Sequence, residues 1–172
     1  MVVPAKTIQV LIEAMRPEDW ESVSRIYLEG IATGQATFET ESPSWEKWHR
    51  AHLPFARLVA RDGEAVCGWA ALSAVSARTA YAGVAELSVY VAGDYRNRGI
   101  GRLLLERLIV ESEQNGIWTL QAVVFPENEA TLALHRTCGF RDVGRRERIG
   151  KLDGRWRDTL LLERRSGVVA FG

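Results

Sequence analysis

The 172-residue sequence has little cysteine: Cys67 and Cys138 are the only two. Two thiols so far apart do not make a disulfide framework, and they point to a reducing compartment, the cytoplasm. Both have apolar neighbours, so buried structural thiols are expected. Charge of one sign is also missing, because 22 basic and 22 acidic residues give a formal net charge of 0. Nucleic acids and anionic membranes select a basic excess, so neither is expected as a partner. Clusters such as Arg145-Arg-Glu-Arg148 are interrupted by acid and read as solvated surface. No stretch approaches the roughly 18 apolar residues that a membrane span needs. The N-terminus carries no long apolar run, so no secretory leader is expected. Cys-x-x-Cys and His/Cys clusters at metal-ligand spacing are absent, so no metal site is expected. Neither Gly-x-x-x-x-Gly-Lys-[Ser/Thr] nor Gly-x-Gly-x-x-Gly occurs, which removes the two best-known phosphate loops.

What is present suits one globular domain with a substantial core over residues 8–163, with a loose N-terminus at 1–7 and a tail at 164–172. A strand is expected at 8–12. Arg16-Pro-Glu-Asp-Trp20 opens a helix, since Pro17 suits a first turn and Glu18 and Asp19 complement the helix dipole. Val23, Ile26, Tyr27 and Ile31 continue it at helical spacing. Ser42-Pro-Ser44 caps a second helix through Trp45, Trp48 and His49. Asp62-Gly63 joins strands at 58–61 and 65–73. A strand over 119–125 is apolar enough to be buried on both faces. A helix follows from Asn128 to Cys138, then strands at 141–149 and 155–163 joined by a turn at 151–154. About seven strands and four helices in mixed order give an α/β protein with a mixed sheet.

The chain is organised around Val84-Ala-Glu-Leu-Ser-Val-Tyr-Val91, then Ala92-Gly-Asp-Tyr-Arg-Asn-Arg-Gly-Ile-Gly101, then Arg102-Leu-Leu-Leu-Glu-Arg-Leu-Ile-Val110. This reads as strand, basic glycine loop, helix. A helix start carries unpaired N–H groups and partial positive charge. Gly99 and Gly101 let an anion approach, and Arg96, Arg98 and Arg102 add full charges, so the stretch can cradle a phosphate. The same turn also serves packing in many α/β proteins. Within the strand, Glu86 shares a face with Ser88 and Tyr90, opposite Leu87, Val89 and Val91. A carboxylate there needs a partner, hydration or a cleft, and in a cleft it is a candidate general base. On the 128–138 helix, Ala130, Ala133, Leu134, Thr137 and Cys138 form the expected buried stripe. Asn128, Thr131 and His135 share a roughly opposite face, where they either meet water or line a cleft.

Ser88-Val-Tyr-Val91, Arg96-Asn-Arg-Gly-Ile-Gly101 and Asn128-Glu-Ala-Thr-Leu-Ala-Leu-His-Arg-Thr-Cys-Gly-Phe140, in this order and spacing, resemble the GNAT superfamily of N-acetyltransferases. Gly30-Ile-Ala-Thr-Gly-Gln-Ala-Thr-Phe-Glu-Thr-Glu41, Ala85-Glu-Leu-Ser-Val-Tyr-Val91 and Gly150-Lys-Leu-Asp-Gly-Arg-Trp-Arg-Asp158 resemble its phosphinothricin and methionine sulfoximine acetyltransferase branch. The resemblance spans residues 8–163. It implies a mixed, mostly antiparallel sheet splayed at the cofactor strand and flanked by helices. It implies acetyl-coenzyme A, with its pyrophosphate on Arg96, Asn97, Arg98, Gly99, Ile100, Gly101 and Arg102. The pantetheine arm would lie along the backbone of Val89, Tyr90 and Val91, one N–H steadying the thioester oxygen, with Asn128 at its amide end.

The resemblance further implies that Glu86 removes the proton of an ammonium through water, so that the amine attacks the thioester directly in a ternary complex. His135 stands where many members carry a tyrosine thought to protonate the departing thiolate. Phe38, Glu39, Arg78, Tyr81 and Trp156 match segments that line the acceptor, and Arg78 could hold a carboxylate bidentately. The expected acceptor is the primary amine of a small amino-acid-like compound, and the expected assembly is a homodimer. The alternatives are another amine (a polyamine, an aminoglycoside or a protein N-terminus) and a non-catalytic acyl-coenzyme A-binding sensor.

Overall fold

The structure, a computed structural model, describes residues 9–170. The expected loose N-terminus, Ile8 and the last two residues of the tail lie outside the described residues. The strands are β1 (Val10–Ala14), β2 (Leu58–Asp62), β3 (Ala65–Ala74), β4 (Val84–Val91), β5 (Thr119–Val124), β6 (Arg141–Leu152) and β7 (Arg155–Arg165). The helices are α1 (Trp20–Ala32), α2 (Trp45–Ala51), α3 (Ile100–Gln114) and α4 (Glu129–Thr137). Local chemistry sets the boundaries. Pro17 begins a short 3-10 turn that leads into α1. The Ser44 hydroxyl accepts the Lys47 N–H at 3.3 Å and starts α2. Gly116, at φ 80°, ends α3 in the left-handed region that glycine enters without a steric cost. β7 continues to Arg165, whose guanidinium bonds the carbonyls of Ser166, Val169 and Ala170 and holds the turn that follows.

The seven strands form one sheet in the order β1-β2-β3-β4-β5-β7-β6. Every pairing is antiparallel except β4 with β5. Strand alternation sends side chains to two cores. Ala70, Leu72, Ala85 and Leu87 join Leu104, Leu105 and Leu108 of α3 and Leu132 of α4 on one face. Trp69 and Ala71 join Val23 and Ile26 of α1 and Trp48 of α2 on the other. Each fully buried leucine contributes roughly 2 kcal/mol of apolar transfer, so both layers hold the sheet from either side.

The decisive feature is a short parallel pairing. β4 meets β5 only at Val84–Thr119, Ala85–Leu120 and Glu86–Gln121. Gly83 anchors this end: its carbonyl accepts the N–H groups of Trp118 at 2.8 Å and Thr119 at 3.0 Å. A Cβ on Gly83 would stand 2.0 Å from the Trp118 ring, so only glycine fits. Beyond Gln121, β5 keeps its pairing with β7 while β4 keeps its pairing with β3. The two strands part, and a wedge opens between residues 87–91 and 122–124.

Three expectations are corrected here. β5 is not buried on both faces: Leu120, Ala122 and Val124 enter the core, while Thr119, Gln121 and Val123 are half-buried on the side without a continuous second layer. α4 does not bury the alanine stripe. Leu132 and His135 are buried, whereas Ala130, Ala133 and Thr137 are exposed. Leucine gains more from burial than alanine, and the imidazole tolerates burial because its Nδ1 bonds the Thr131 carbonyl at 2.7 Å. Cys67 is buried, as expected, but Cys138 is only half-buried at the end of α4, and both thiols are free.

Candidate active site

The wedge is the mouth of a cavity of about 820 Å³, walled by the segment after α1, by β4 and β5, by the β4–α3 loop and by α4. At one end is the glycine loop. Asn97 (φ 60°) and Gly99 (φ 78°) are both left-handed, which turns neighbouring N–H groups toward a common point. The first bond of α3 runs from the Leu103 N–H to the Gly99 carbonyl, leaving the N–H groups of Ile100, Gly101 and Arg102 without helical partners. A Cβ on Gly99 would meet nothing within 4 Å, so the space over the cradle is open. One on Gly101 would lie 3.3 Å from Leu134, because α3 and α4 pack closely there. Arg96 and Arg102 line the cavity. The Arg98 guanidinium instead sits 5.6 Å over the Tyr95 ring, off the wall.

From the cradle, the edge of β4 runs inward through Val91, Tyr90 and Val89. Its backbone groups face the wedge without a strand partner. Val89 and Val91 pack toward the α3 core, and the Tyr90 ring goes to the α1 side, stacked on Trp69 at 4.9 Å. Asn128 is engaged at both ends of its side chain. Its Oδ1 accepts the Thr131 N–H at 3.2 Å, and its Nδ2 donates to the Gln35 carbonyl at 3.2 Å.

Glu86 lies at the point where the strands part. Its Oε2 accepts from the Gln121 Nε2 at 2.8 Å, so its partner is a neutral amide and not a cation. His135 faces the cavity from α4, only 3% exposed. A carbonyl can only accept, so the bond to Thr131 puts the proton on Nδ1 and leaves a lone pair on Nε2. That Nε2 is buried without a partner. Burial also pushes the imidazole below its ordinary pKa near 6.5, so the ring is neutral at pH 7. The resting His135 is therefore a proton acceptor; it has no Nε2 proton with which to protonate a thiolate until it gains one.

At the far end, Phe38 and Glu39 line the cavity together with Tyr27, Thr37, His52, Ser73 and Thr159. Phe38 packs on Phe125 at 4.9 Å and against Gly150, where a Cβ would stand 2.9 Å from the Phe38 ring. Arg157 pins this segment: it bonds the Gly34 carbonyl and the Gln35 side chain and lies 4.1 Å over Phe125. Tyr27 and Tyr90 meet edge to face at 5.0 Å. Burial above all pushes both phenols above their ordinary range, with the neighbouring Tyr27 phenol adding to it for Tyr90 and the Glu39 charge adding a smaller part for both. Arg78, Tyr81 and Trp156 are not on the wall. Arg78 lies 5.6 Å over Tyr81 on the exposed loop before β4, and Trp156, 56% exposed, holds Lys151 at the β6–β7 turn. Tyr27, Thr37, His52, Ser73, Gln121 and Thr159 were missed from the sequence. Only Tyr27 lay on a periodic stripe, and that stripe marked it as core.

The cavity is mostly apolar and charged only toward its ends: Arg96 and Arg102 at one, Glu39 and Glu86 at the other, with no other Lys, Arg, Asp or Glu on its wall among the described residues. It can hold an anion at the cradle, an extended chain along β4, and an ammonium beside Glu86.

A family model described as "Acetyltransferase (GNAT) family" matches residues 13–140. The chain is 36% identical to a phosphinothricin N-acetyltransferase of Alcaligenes faecalis over 163 residues, 89% of this chain and 81% of that protein. It is 33% identical to an L-methionine sulfoximine/L-methionine sulfone acetyltransferase of Pseudomonas aeruginosa over 135 residues, 77% of this chain and 73% of that one. Among solved structures, it superposes with a TM-score of 0.84 and 31% identity on a GNAT superfamily phosphinothricin acetyltransferase from Sinorhizobium meliloti in complex with acetyl-coenzyme A, covering 94% of this chain and 90% of that one.

Proposed function

The chain belongs to the acetyltransferase (GNAT) family and is an acetyl-coenzyme A-dependent N-acetyltransferase; on that premise we propose that its acceptor is the primary α-amine of a small amino-acid-like compound of the phosphinothricin or methionine sulfone type. The residues fit the cofactor. The left-handed pair Asn97 and Gly99 aims backbone N–H groups into space that a Cβ on Gly99 would enter, a cradle suited to pyrophosphate. Arg96 and Arg102 supply charge beside it. The unpartnered edge of β4 offers donors and acceptors to the amides of a pantetheine arm, and one of its N–H groups a bond to the thioester oxygen. Bound acetyl-coenzyme A supplies the activated acetyl group.

Glu86 and Glu39 attract the incoming ammonium, and Glu86, held by Gln121, takes its proton through water. The freed lone pair can then attack the acetyl carbon; the carbon–sulfur bond would break as the new amide nitrogen gives up its second proton, and that proton would balance the one the thiolate gains. The bare His135 Nε2 is a second acceptor on that path, able to pass a proton on once it has gained one. Asn128 meets the pantetheine only by exchanging its bond to Gln35. Arg78, on the exposed loop before β4, is the cation proposed for a carboxylate approaching from outside.

The observation that carries this reading is the wedge itself, with cations at its cradle and carboxylates at its inner end. The acidic inner end also favours a second reading, a polyamine acceptor. The test is thiol release from acetyl-coenzyme A with phosphinothricin, L-methionine sulfone, L-methionine sulfoximine, spermidine, an aminoglycoside and a peptide N-terminus. Release with the first three is expected. Release with spermidine alone supports the second reading, and cofactor binding without release by any amine leaves a sensor. A homodimer in the cytoplasm completes the proposal. Val143, Ile149 and Trp156 are exposed on the β6–β7 hairpin at the sheet edge, a surface suited to a second copy, and light scattering at a single-chain mass overturns that part.

A further inference from the structure

His52 follows α2 and is absent from every role assigned above. Its ring stacks on Trp48 at 4.1 Å and sets an edge against Trp69 at 6.5 Å. Its Nδ1 bonds the Trp48 carbonyl at 2.7 Å, so Nδ1 carries the proton and Nε2 holds a lone pair. Its backbone is equally fixed: the Arg57 guanidinium bonds its carbonyl at 2.8 Å, and the next residue, Leu53, donates to the Leu72 carbonyl at 2.7 Å. This places the ring over the end of β3, in the same cavity wall as Ser73 and Glu86. Ser73 is the cross-strand partner of Glu86, one strand spacing of about 4.8 Å away. Burial, aided by the neighbouring Arg57 charge and only partly offset by the bond to the Trp48 carbonyl, leaves the ring below its ordinary pKa, so it stays neutral. A neutral, doubly anchored imidazole in the cavity wall that also holds a catalytic carboxylate is a fixed hydrogen-bond acceptor.

A primary amine that has lost its proton has two N–H groups and one lone pair. Attack requires the lone pair to face the acetyl carbon, so both N–H groups need acceptors elsewhere. Glu86 provides one. We propose that His52 Nε2 accepts the other N–H of the acceptor amine, so that His52 and Glu86 together aim the nitrogen and restrict the site to primary amines. This rests on the acceptor end assigned under Proposed function.

The test compares L-methionine sulfone, or whichever primary amine of the panel reacts, with its α-N-methyl form, in the wild type and in His52→Phe. Phenylalanine keeps the stack on Trp48 and removes Nε2. The expected result is a loss of about 10- to 100-fold in kcat/KM for the primary amine. The N-methyl form, with a single N–H, should lose little, while the acetyl-coenzyme A KM and the thermal midpoint hold. Unchanged kcat/KM for the primary amine in a folded variant, or an equal loss for both amines, overturns the inference and leaves the acetyltransferase reading intact. Should the variant fail to fold, the wild type decides: equal kcat/KM for the two amines overturns it. If no amine in the panel reacts, both readings fall together.

Discussion

Replacing Gly99 by alanine separates what the cradle costs the fold from what it does for the cofactor, because Gly116 provides a matched control on the same helix. Gly99 stands at φ 78° before α3 and Gly116 at φ 80° after it. At neither position would a Cβ meet any atom within 4 Å. The folding penalty of either substitution is therefore the left-handed backbone alone, about 1–2 kcal/mol. For a chain of this length each kcal/mol moves the thermal midpoint by about 2–4 °C, so both variants should melt roughly 5 °C lower. Only Gly99 lines the cavity. Its new methyl group would stand where the phosphate approaches the N–H groups of α3, and losing one charge-assisted bond weakens binding by about 10- to 100-fold. The assays are calorimetric melting and titration with coenzyme A. Equal melting losses with weaker binding only in Gly99→Ala are expected. Equal affinity in the two variants would refute the placement of the pyrophosphate on this loop.

Glu86→Gln should lower turnover by about 100- to 10,000-fold with cofactor affinity kept, and an unchanged pH–rate profile would remove Glu86 as the base. His135→Gln should cost about tenfold in turnover, a modest loss because a thiolate is a tolerable leaving group; full activity would show that its buried Nε2 takes no part. Acidification should destabilise the fold through the half-buried His52 and the buried His135. His52 and His135 both have folded pKa values depressed below 6.5. Below that pH the unfolded chain binds protons that the folded chain refuses, so this stability is complete above about pH 6.5 and is lost as the pH falls, by at most about 1.4 kcal/mol per pH unit for each ring. Melting between pH 7.5 and 5.5 should show the slope in the wild type and a shallower one in His52→Phe; identical slopes would contradict the assignment.

The sequence by itself determined the local elements and much of the cofactor end. Ser44, Asp62-Gly63, Gly99 and Gly116 act within a few residues of where they stand, so their turns and caps could be read directly. The alternation of Glu86, Ser88 and Tyr90 against Leu87, Val89 and Val91 is a period-2 signal, and it held. The order of strand, glycine loop and asparagine-started helix carried the family. Faces were harder to read. The alanines of α4 mimic a buried stripe, but the side of a helix that is buried depends on what lies across from it, and here that is the leucine and histidine side.

Tertiary structure alone decided the acceptor end. His52, Ser73, Glu86 and Gln121 come from four separate segments and share no periodicity, so no local pattern could join them. Arg78, Tyr81 and Trp156, placed at the acceptor by motif, fall outside the cavity wall of the single chain. The resting proton state of His135 was equally hidden until the bond to Thr131 was seen. Above all, the sheet opens because β5 follows β7 while β4 follows β3, from a joint fixed where Gly83 meets Trp118. That contact couples residues 35 positions apart in sequence, and its packing depends on the path of the whole chain between them.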